Sequence, residues 1–106
     1  MPRSYAHIIE RLKTGESVKF RPTGNSMSGK IDSGSLVTLA PVTPDTGLTH
    51  GDAVLCKVRG RIFVHLITGV KGSGDSVEFQ ISNNHGHVNG WTGRKNIFGI
   101  VVGIEP

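Results

Sequence analysis

The chain has 106 residues, of which 36% are hydrophobic, and its formal net charge is +4 at pH 7. This length allows one domain with a modest core, and no apolar run approaches the roughly 20 residues that span a bilayer. The basic residues are scattered, with no block of like charges, so we do not expect a nucleic-acid partner.

Two features bear on the cellular compartment. The lone cysteine, Cys56, excludes an internal disulfide and fits a reducing environment. The first seven residues lack the apolar core of a secretory signal. We therefore expect a soluble, cytoplasmic protein with no membrane span. Because Cys56 lies within an apolar run, a buried structural thiol is a better interpretation than a nucleophile.

The first predicted element is a helix over residues 4–14. Apolar side chains recur there with helical spacing, at Tyr5, Ile8, Ile9 and Leu12. Ser4 is the expected N-cap, and Gly15 is expected to end the helix after Lys13.

From residue 17 onward the apolar pattern changes to a period of two, which predicts strands. The predicted strands cover residues 18–20, 36–40, 53–58, 61–67, 77–81 and 97–104. Arg59-Gly60 is a plausible two-residue hairpin turn. The last strand is apolar enough to be buried on both faces, and residues 82–95 are predicted to be polar and irregular.

The predicted fold is therefore mainly β, a twisted and partly closed antiparallel sheet with one short N-terminal helix. The 106 residues are expected to form a single domain, with the helix over 4–14 and the β domain over 17–106. Fifteen glycines and five prolines agree with short strands joined by tight turns.

The most informative segment for function runs over residues 24–37. It is a glycine-rich turn that presents Ser26 shortly before a strand. Such a turn can expose a hydroxyl and aim backbone N–H groups at one point, and acyl transfer requires both features. Glycine-serine turns are also common as purely structural features, so this segment alone does not establish a nucleophile.

Three short motifs follow one another in order. Gly24-Asn25-Ser26-Met27 comes first, residues 51–54 (Gly-Asp-Ala-Val) open a predicted strand, and residues 99–104 (Gly-Ile-Val-Val-Gly-Ile) lie in the last one. Together they resemble the peptidase domain shared by LexA-type repressors and type I signal peptidases, over nearly the whole chain. The resemblance implies a serine endopeptidase with Ser26 as its nucleophile. The expected partner is a peptide or protein substrate in extended conformation.

The resemblance also implies a general base. Most relatives carry a lysine on the second strand of the hairpin, and His65 occupies that position here, as histidine does in the endoplasmic-reticulum signal peptidases. A neutral imidazole, with a pKa near 6.5, can accept a hydroxyl proton at pH 7. Strand alternation places His65 on the face of Phe63 and Ile67, which predicts partial burial. A histidine hydrogen-bonded within the sheet would fit the same position.

The remaining site residues follow from the same resemblance. Gly24, Asn25 and Met27 are expected to form the oxyanion and substrate-binding turn around Ser26. Relatives with histidine carry an acidic residue in a Gly-Asp-Asn-Asn block, and the matching block here is Ile-Ser-Asn-Asn over residues 81–84. Ser82, Asn83 or a backbone carbonyl is therefore expected to orient His65. Two further departures are Gly29, where signal peptidases have proline, and Ser35, where relatives have aspartate.

Other functions stay open. The missing aspartate favours a catalytically degenerate peptidase fold that acts as a protein-binding regulator, of phage or mobile-element origin. His85 and His87 could supply two metal ligands, but the spacing identifies no third or fourth, so we expect a polar loop, no metal and no cofactor. A homodimer is compatible with either function.

Overall fold

The computed structural model describes residues 5–22 and 24–106. These residues form helix α1 (Ala6–Lys13) and seven strands. The strands are β1 (Val18–Phe20), β2 (Leu36–Pro41), β3 (Ala53–Val58), β4 (Arg61–Lys71), β5 (Glu78–Ser82), β6 (Val88–Gly93) and β7 (Ile97–Glu105). All neighbouring strands are antiparallel, in the order β1-β2-β7-β3-β4-β5-β6. The predicted mainly β fold with one N-terminal helix is confirmed.

Helix α1 packs its apolar stripe against the sheet. Ile8, Ile9 and Leu12 are buried there, in a cluster with residues from β1, β2, β3 and β4. The helix ends as predicted after Lys13, and Gly15 follows with a left-handed backbone, φ +89°, while its N–H donates to the carbonyl of Leu12. The predicted cap, Ser4, lies outside the described residues.

The hairpin between β3 and β4 sets the register of the candidate site. Arg59 and Gly60 have φ values of 51° and 81°, and two left-handed central residues are typical of a type I′ turn. This turn matches the right-handed twist of the strands, and it confirms the predicted two-residue connection. It places Val54 opposite His65. The position of His65 is therefore fixed by a turn only four residues away.

The sheet curls without closing. Strands β1 and β6 lie at its two edges. Thr92 Oγ1 on β6 donates to the carbonyl of Lys57 on β3 over 2.9 Å, although these strands are not neighbours in the sheet. A second buried cluster lies on the face of the sheet opposite the helix, formed by Val54, Cys56, Val58, Ile67, Phe79, Ile81 and Ile97. The curl therefore brings β6 over β3 and β4.

Strand β6 corrects the prediction that residues 82–95 are irregular. Apolar alternation is missing there because Gly90 and Thr92 are the β6 residues that face inward, while Val88 and Trp91 are exposed. Gly90 has φ +141°, and a Cβ on it would lie 3.2 Å from Val58 Cγ1. Close packing against β3 therefore requires glycine at a position where a strand pattern would show an apolar side chain.

The structure also corrects the expectation that the last strand is buried on both faces. Its first half is covered, and Gly99 lies directly beneath Leu12 of α1. Val102 and Ile104 are 62% and 42% exposed, and neither belongs to a buried cluster. Strand β4 extends to Lys71, beyond its predicted end at residue 67, after an irregularity between Ile67 and Gly69.

Candidate active site

Ser26 lies on the loop between β1 and β2, here called the Ser26 loop (residues 24–35). The side chains of Met27 and Ile31 are buried in the cluster beneath α1, and both Lys30 N–H and Ile31 N–H donate to the carbonyl of Met27. Ser26 itself is exposed. The loop therefore presents the serine hydroxyl from an anchored helical turn.

Gly29 explains one departure from the signal-peptidase pattern. Its φ is +93°, in the left-handed region, whereas the proline ring fixes φ near −65°. Proline would therefore force a different course on the loop at this position. The glycine N–H donates to Asp32 Oδ1 over 2.9 Å, which closes the turn behind Ser26.

The structure brings the two predicted catalytic residues together. His65 Nε2 lies 3.0 Å from Ser26 Oγ, and His65 Nδ1 lies 2.7 Å from Asn89 Oδ1. An amide oxygen only accepts, so Nδ1 carries the proton and donates to Asn89. The Nε2 lone pair then accepts the hydroxyl hydrogen bond from Ser26. This tautomer is the one that a general base for the serine requires.

Asn89 on β6 takes the orienting position that was predicted for Ser82, Asn83 or a backbone carbonyl. Ser82 Oγ instead lies 2.7 Å from Thr68 Oγ1, and Asn83 Oδ1 accepts from the N–H groups of His85 and His87. The prediction failed because Asn89 reaches His65 only through the curl of the sheet. Asn89 could have been predicted only if residues 88–93 had been identified as a strand.

The environment of His65 favours its neutral form. The side chain is buried, with the residue 6% exposed, and its ring stacks on Phe63 with centroids 4.0 Å apart. Burial lowers the pKa of His65 below its usual value, and the electrostatic interactions with Arg61 and His87 act in the same direction. The hydrogen bond to Asn89 opposes this shift. At pH 7 the ring is therefore available to accept a proton.

A turn between β5 and β6, here called the β5–β6 turn (residues 83–87), contacts the Ser26 loop. Asn84 N–H donates to the carbonyl of Ser26 over 2.8 Å, and Asn84 Nδ2 donates to the carbonyl of Ser28 over 3.0 Å. His85 Nε2 lies 2.8 Å from the carbonyl of Asn25 and 3.0 Å from Ser28 Oγ. These contacts are not predicted from the sequence, because its pattern indicates only a polar loop around His85.

A small pocket of about 50 Å³ opens beside Ser26. Its lining is mostly apolar and comprises Tyr5, Pro22, Gly24, Ser26, Met27, Ile31, Asp32, Phe63 and Val64. Gly24 and Met27, which were predicted to shape the substrate-binding turn, thus line this pocket. Asn25 was predicted for the same role, and its carbonyl accepts from His85 and Ser28.

Two backbone features lie beside the pocket, the edge of strand β4 and the N–H groups around Ser26. Strand β4 pairs with β3 from Arg61 to Leu66 but with β5 only from Leu66 onward, so no described strand pairs with the other edge of residues 61–65. Within residues 5–22 and 24–106, the backbone N–H groups of Ser26 and Met27 donate no hydrogen bond. A strand edge that no described strand pairs with, and two N–H groups without an acceptor among the described residues, therefore lie next to the serine hydroxyl.

Cys56 does not take part in this site. The residue is fully buried, and its Sγ–H points to the carbonyl of Phe63 at 3.9 Å. Burial raises the pKa of the Cys56 thiol to about 12, so the reactive thiolate is scarcely populated at pH 7. The interpretation as a structural cysteine is confirmed.

Neither a cluster of metal ligands nor a membrane-spanning helix is present among the described residues. No three histidine, cysteine, aspartate or glutamate side chains of residues 5–22 and 24–106 converge as metal ligands would. Helix α1 has eight residues, and no described helix has the length and apolar character to cross a membrane.

Comparisons with known proteins give no family assignment. No protein-family model matches the chain, and no curated protein matches it significantly. The resemblance carried by the sequence motifs therefore stays a prediction. The case for a function depends on the geometry of Ser26, His65 and Asn89.

Proposed function

We propose that this protein is a serine endopeptidase-like enzyme that hydrolyses peptide bonds with Ser26, His65 and Asn89. One observation carries the proposal. The ring of His65 lies within hydrogen-bond distance of the Ser26 hydroxyl on one side and of the Asn89 amide oxygen on the other, at 3.0 Å and 2.7 Å. A nucleophile, a base and a group that orients the base are the three parts of an activated hydroxyl.

The geometry supports a defined sequence of proton transfers. Ser26 Oγ attacks the carbonyl carbon of the scissile bond while its proton passes to His65 Nε2. The tetrahedral intermediate collapses as the imidazolium donates this proton to the leaving amine, which leaves an acyl-enzyme ester on Ser26. Water, deprotonated by the same nitrogen, then hydrolyses the ester and restores the hydroxyl.

Backbone donors and Asn89 stabilise the charges that develop. The N–H of Ser26 and a neighbouring donor of the Gly24-Asn25 turn would bind the oxyanion. Asn89 accepts from Nδ1 throughout, which holds the ring in one orientation. A neutral amide stabilises the imidazolium less than a carboxylate does, so we expect a slower enzyme than one with aspartate at this position.

The surroundings of Ser26 support an extended peptide as substrate. The unpaired edge of residues 61–65 can add one strand through backbone hydrogen bonds. The adjacent pocket of about 50 Å³ accepts a side chain of only a few heavy atoms next to the scissile bond. Both features favour cleavage within flexible segments that carry small residues.

The motif resemblance to LexA-type and signal-peptidase-type enzymes supports the same activity. It covers the Ser26 loop, the start of β3 and the end of β7. A cytoplasmic location is part of the proposal, on the basis of the single reduced cysteine. A homodimer is compatible with it, and a nucleic-acid partner is not part of it.

The second candidate is a peptide-binding regulator built on a degenerate peptidase fold. The observation that favours it is that the neutral Asn89 contacts His65, while Ser82 stands where histidine-containing relatives carry an acid. In this case the β4 edge and the pocket would hold a peptide without cleaving it. The two candidates differ in whether Ser26 forms a covalent acyl intermediate.

A peptide library separates the two functions. Purified protein is incubated with a proteome-derived peptide library, and new termini are identified by mass spectrometry. We expect the wild type to cleave after small residues and Ser26→Ala to cleave no peptide. Ser33 is an exposed serine of the same loop, and the control variant Ser33→Ala should cleave as the wild type does. Peptides that are retained but remain intact in wild type and Ser26→Ala alike would establish the binding function instead.

A further inference from the structure

We propose that Asn84 and His85 are positioning residues, which hold the Ser26 loop so that the hydroxyl meets His65. The inference depends on the proposed function for its kinetic consequence, because it identifies the residues that hold Ser26 in position at the same site. The two residues would act through Ser26 and touch no substrate. The β5–β6 turn would thereby be a structural part of the catalytic machinery.

The β5–β6 turn donates hydrogen bonds to three backbone carbonyls of the Ser26 loop. The carbonyls of Asn25, Ser26 and Ser28 accept from His85 Nε2, Asn84 N–H and Asn84 Nδ2, at 2.8, 2.8 and 3.0 Å. These carbonyls belong to Ser26 and to residues immediately around it. The contacts therefore hold the backbone on both sides of the nucleophile.

The His85 side chain is the donor in its hydrogen bond to the Ser26 loop. A carbonyl only accepts, so His85 Nε2 carries a proton and donates to Asn25. The same nitrogen lies 3.0 Å from Ser28 Oγ, and that hydroxyl donates to the carbonyl of Asn25 over 2.9 Å. His85 and Ser28 thus converge on one carbonyl of the residue before Ser26. Any side chain that places an N–H donor at the same distance from the backbone could make the hydrogen bond to Asn25.

The β5–β6 turn is itself held by internal hydrogen bonds. Asn83 Oδ1 accepts from both His85 N–H and His87 N–H, and Asn83 N–H donates to the carbonyl of His87 over 3.0 Å. The turn continues from β5, where Ser82 pairs with Leu66, the neighbour of His65. The general base and the positioning residues are therefore attached to the same part of the sheet.

Catalysis is sensitive to such positioning. A displacement of about 1 Å at a reacting group can cost about 10²-fold in rate. Met27 and Ile31 anchor the Ser26 loop from below, so loss of the His85 contact would loosen the loop without releasing it. We therefore expect loss of His85 to lower kcat about 10-fold and to change KM less than about twofold.

The kinetic test compares His85→Ala with a conservative variant and a matched control. His85→Gln keeps an N–H donor at the end of its side chain and should restore most of kcat. His87→Ala removes an exposed histidine of the same turn whose side chain makes no hydrogen bond to the described residues. At pH 8 it should behave as wild type. Equal losses in His85→Gln and His85→Ala would overturn the role of the N–H donor.

A second measurement decides the inference without any substrate. Hydrogen exchange at the Asn84 amide, which donates to Ser26, reports directly on the contact between turn and loop. In the inactive Ser26→Ala background, His85→Ala should accelerate this exchange about 10-fold and His87→Ala should not. Unchanged exchange would overturn the inference even in an active enzyme. If wild type cleaves no peptide, the proposed function fails, and the exchange result still decides whether the turn holds the loop.

Discussion

Two histidines contact the Ser26 loop, and they use the same ring nitrogen in opposite ways. His65 lies buried on β4 and accepts at Nε2 from the Ser26 hydroxyl, because Asn89 fixes the proton on Nδ1. His85 lies exposed on the β5–β6 turn and donates from Nε2 to the carbonyl of Asn25. The partner of each ring determines its tautomer. The tautomer then determines whether the histidine can move a proton or only hold a backbone group.

The largest expected effect concerns the residues that exchange the proton. Ser26→Ala and His65→Gln should each lower kcat/KM at least about 10³-fold, and the double variant should lose little more because the two act as a unit. Glutamine has no lone pair that can take up the proton at this position. Steady-state kinetics on a cleaved peptide measure all three variants. A larger loss in His85→Ala than in His65→Gln would reverse the assigned roles.

The next effect concerns the orientation of His65. Asn89→Ala removes the acceptor that holds the proton on Nδ1, and we expect kcat to fall about 10²-fold with a small change in KM. Asn96→Ala is a suitable control, since this asparagine bonds to Thr92 Oγ1 and not to a histidine. If both variants lose the same activity, a general effect on β6 would explain the loss better than orientation of the base.

The pH dependence of kcat/KM reports the protonation state of His65 during catalysis. The reaction requires neutral His65, and its pKa is lowered by burial, so activity should fall on the acid side with a midpoint below 6.5. Asn89→Asp places a carboxylate beside Nδ1 and should move this midpoint to higher pH. A wild-type midpoint above 6.5 would show that burial does not dominate at His65.

The smallest expected effect is on stability. Unfolded His65 titrates near pH 6.5 and the folded residue titrates lower, so between these two values the unfolded chain binds more protons. The contribution of His65 to the free energy of unfolding is therefore complete above pH 6.5 and decreases as the pH falls through this window. Urea titrations of wild type and His65→Gln from pH 7.5 to 5 measure it. The variant should show a weaker decrease, and an equal decrease would assign it to other groups.

Local patterns in the sequence predicted much of this site. Strand alternation and a two-residue turn were enough to place His65 on the face of Phe63 with a fixed register. The glycine-rich turn was enough to suggest an exposed Ser26. These features depend on residues near one another in the chain, and simple periodicity and turn chemistry describe them well.

The groups that hold the two predicted residues could not be predicted in the same way. Asn89 reaches His65 from 24 residues away, and His85 reaches Asn25 from 60 residues away. Both contacts depend on the curl of the sheet, which brings Gly90 close to Val58 and allows Thr92 to donate to Lys57 of β3. No local pattern contains that information. Polar residues in a strand with two glycines therefore looked like a loop.

The activation of Ser26 by His65 can be tested directly by reaction of the protein with a fluorophosphonate, which phosphonylates an activated serine hydroxyl with loss of fluoride and does not depend on a substrate-specific pocket. We expect a single adduct on Ser26, located by mass spectrometry, that forms at least about 100-fold more slowly in His65→Gln. Ser33→Ala should react at the wild-type rate. No adduct, an adduct on another serine, or an unchanged rate in His65→Gln would contradict the claim that His65 activates Ser26.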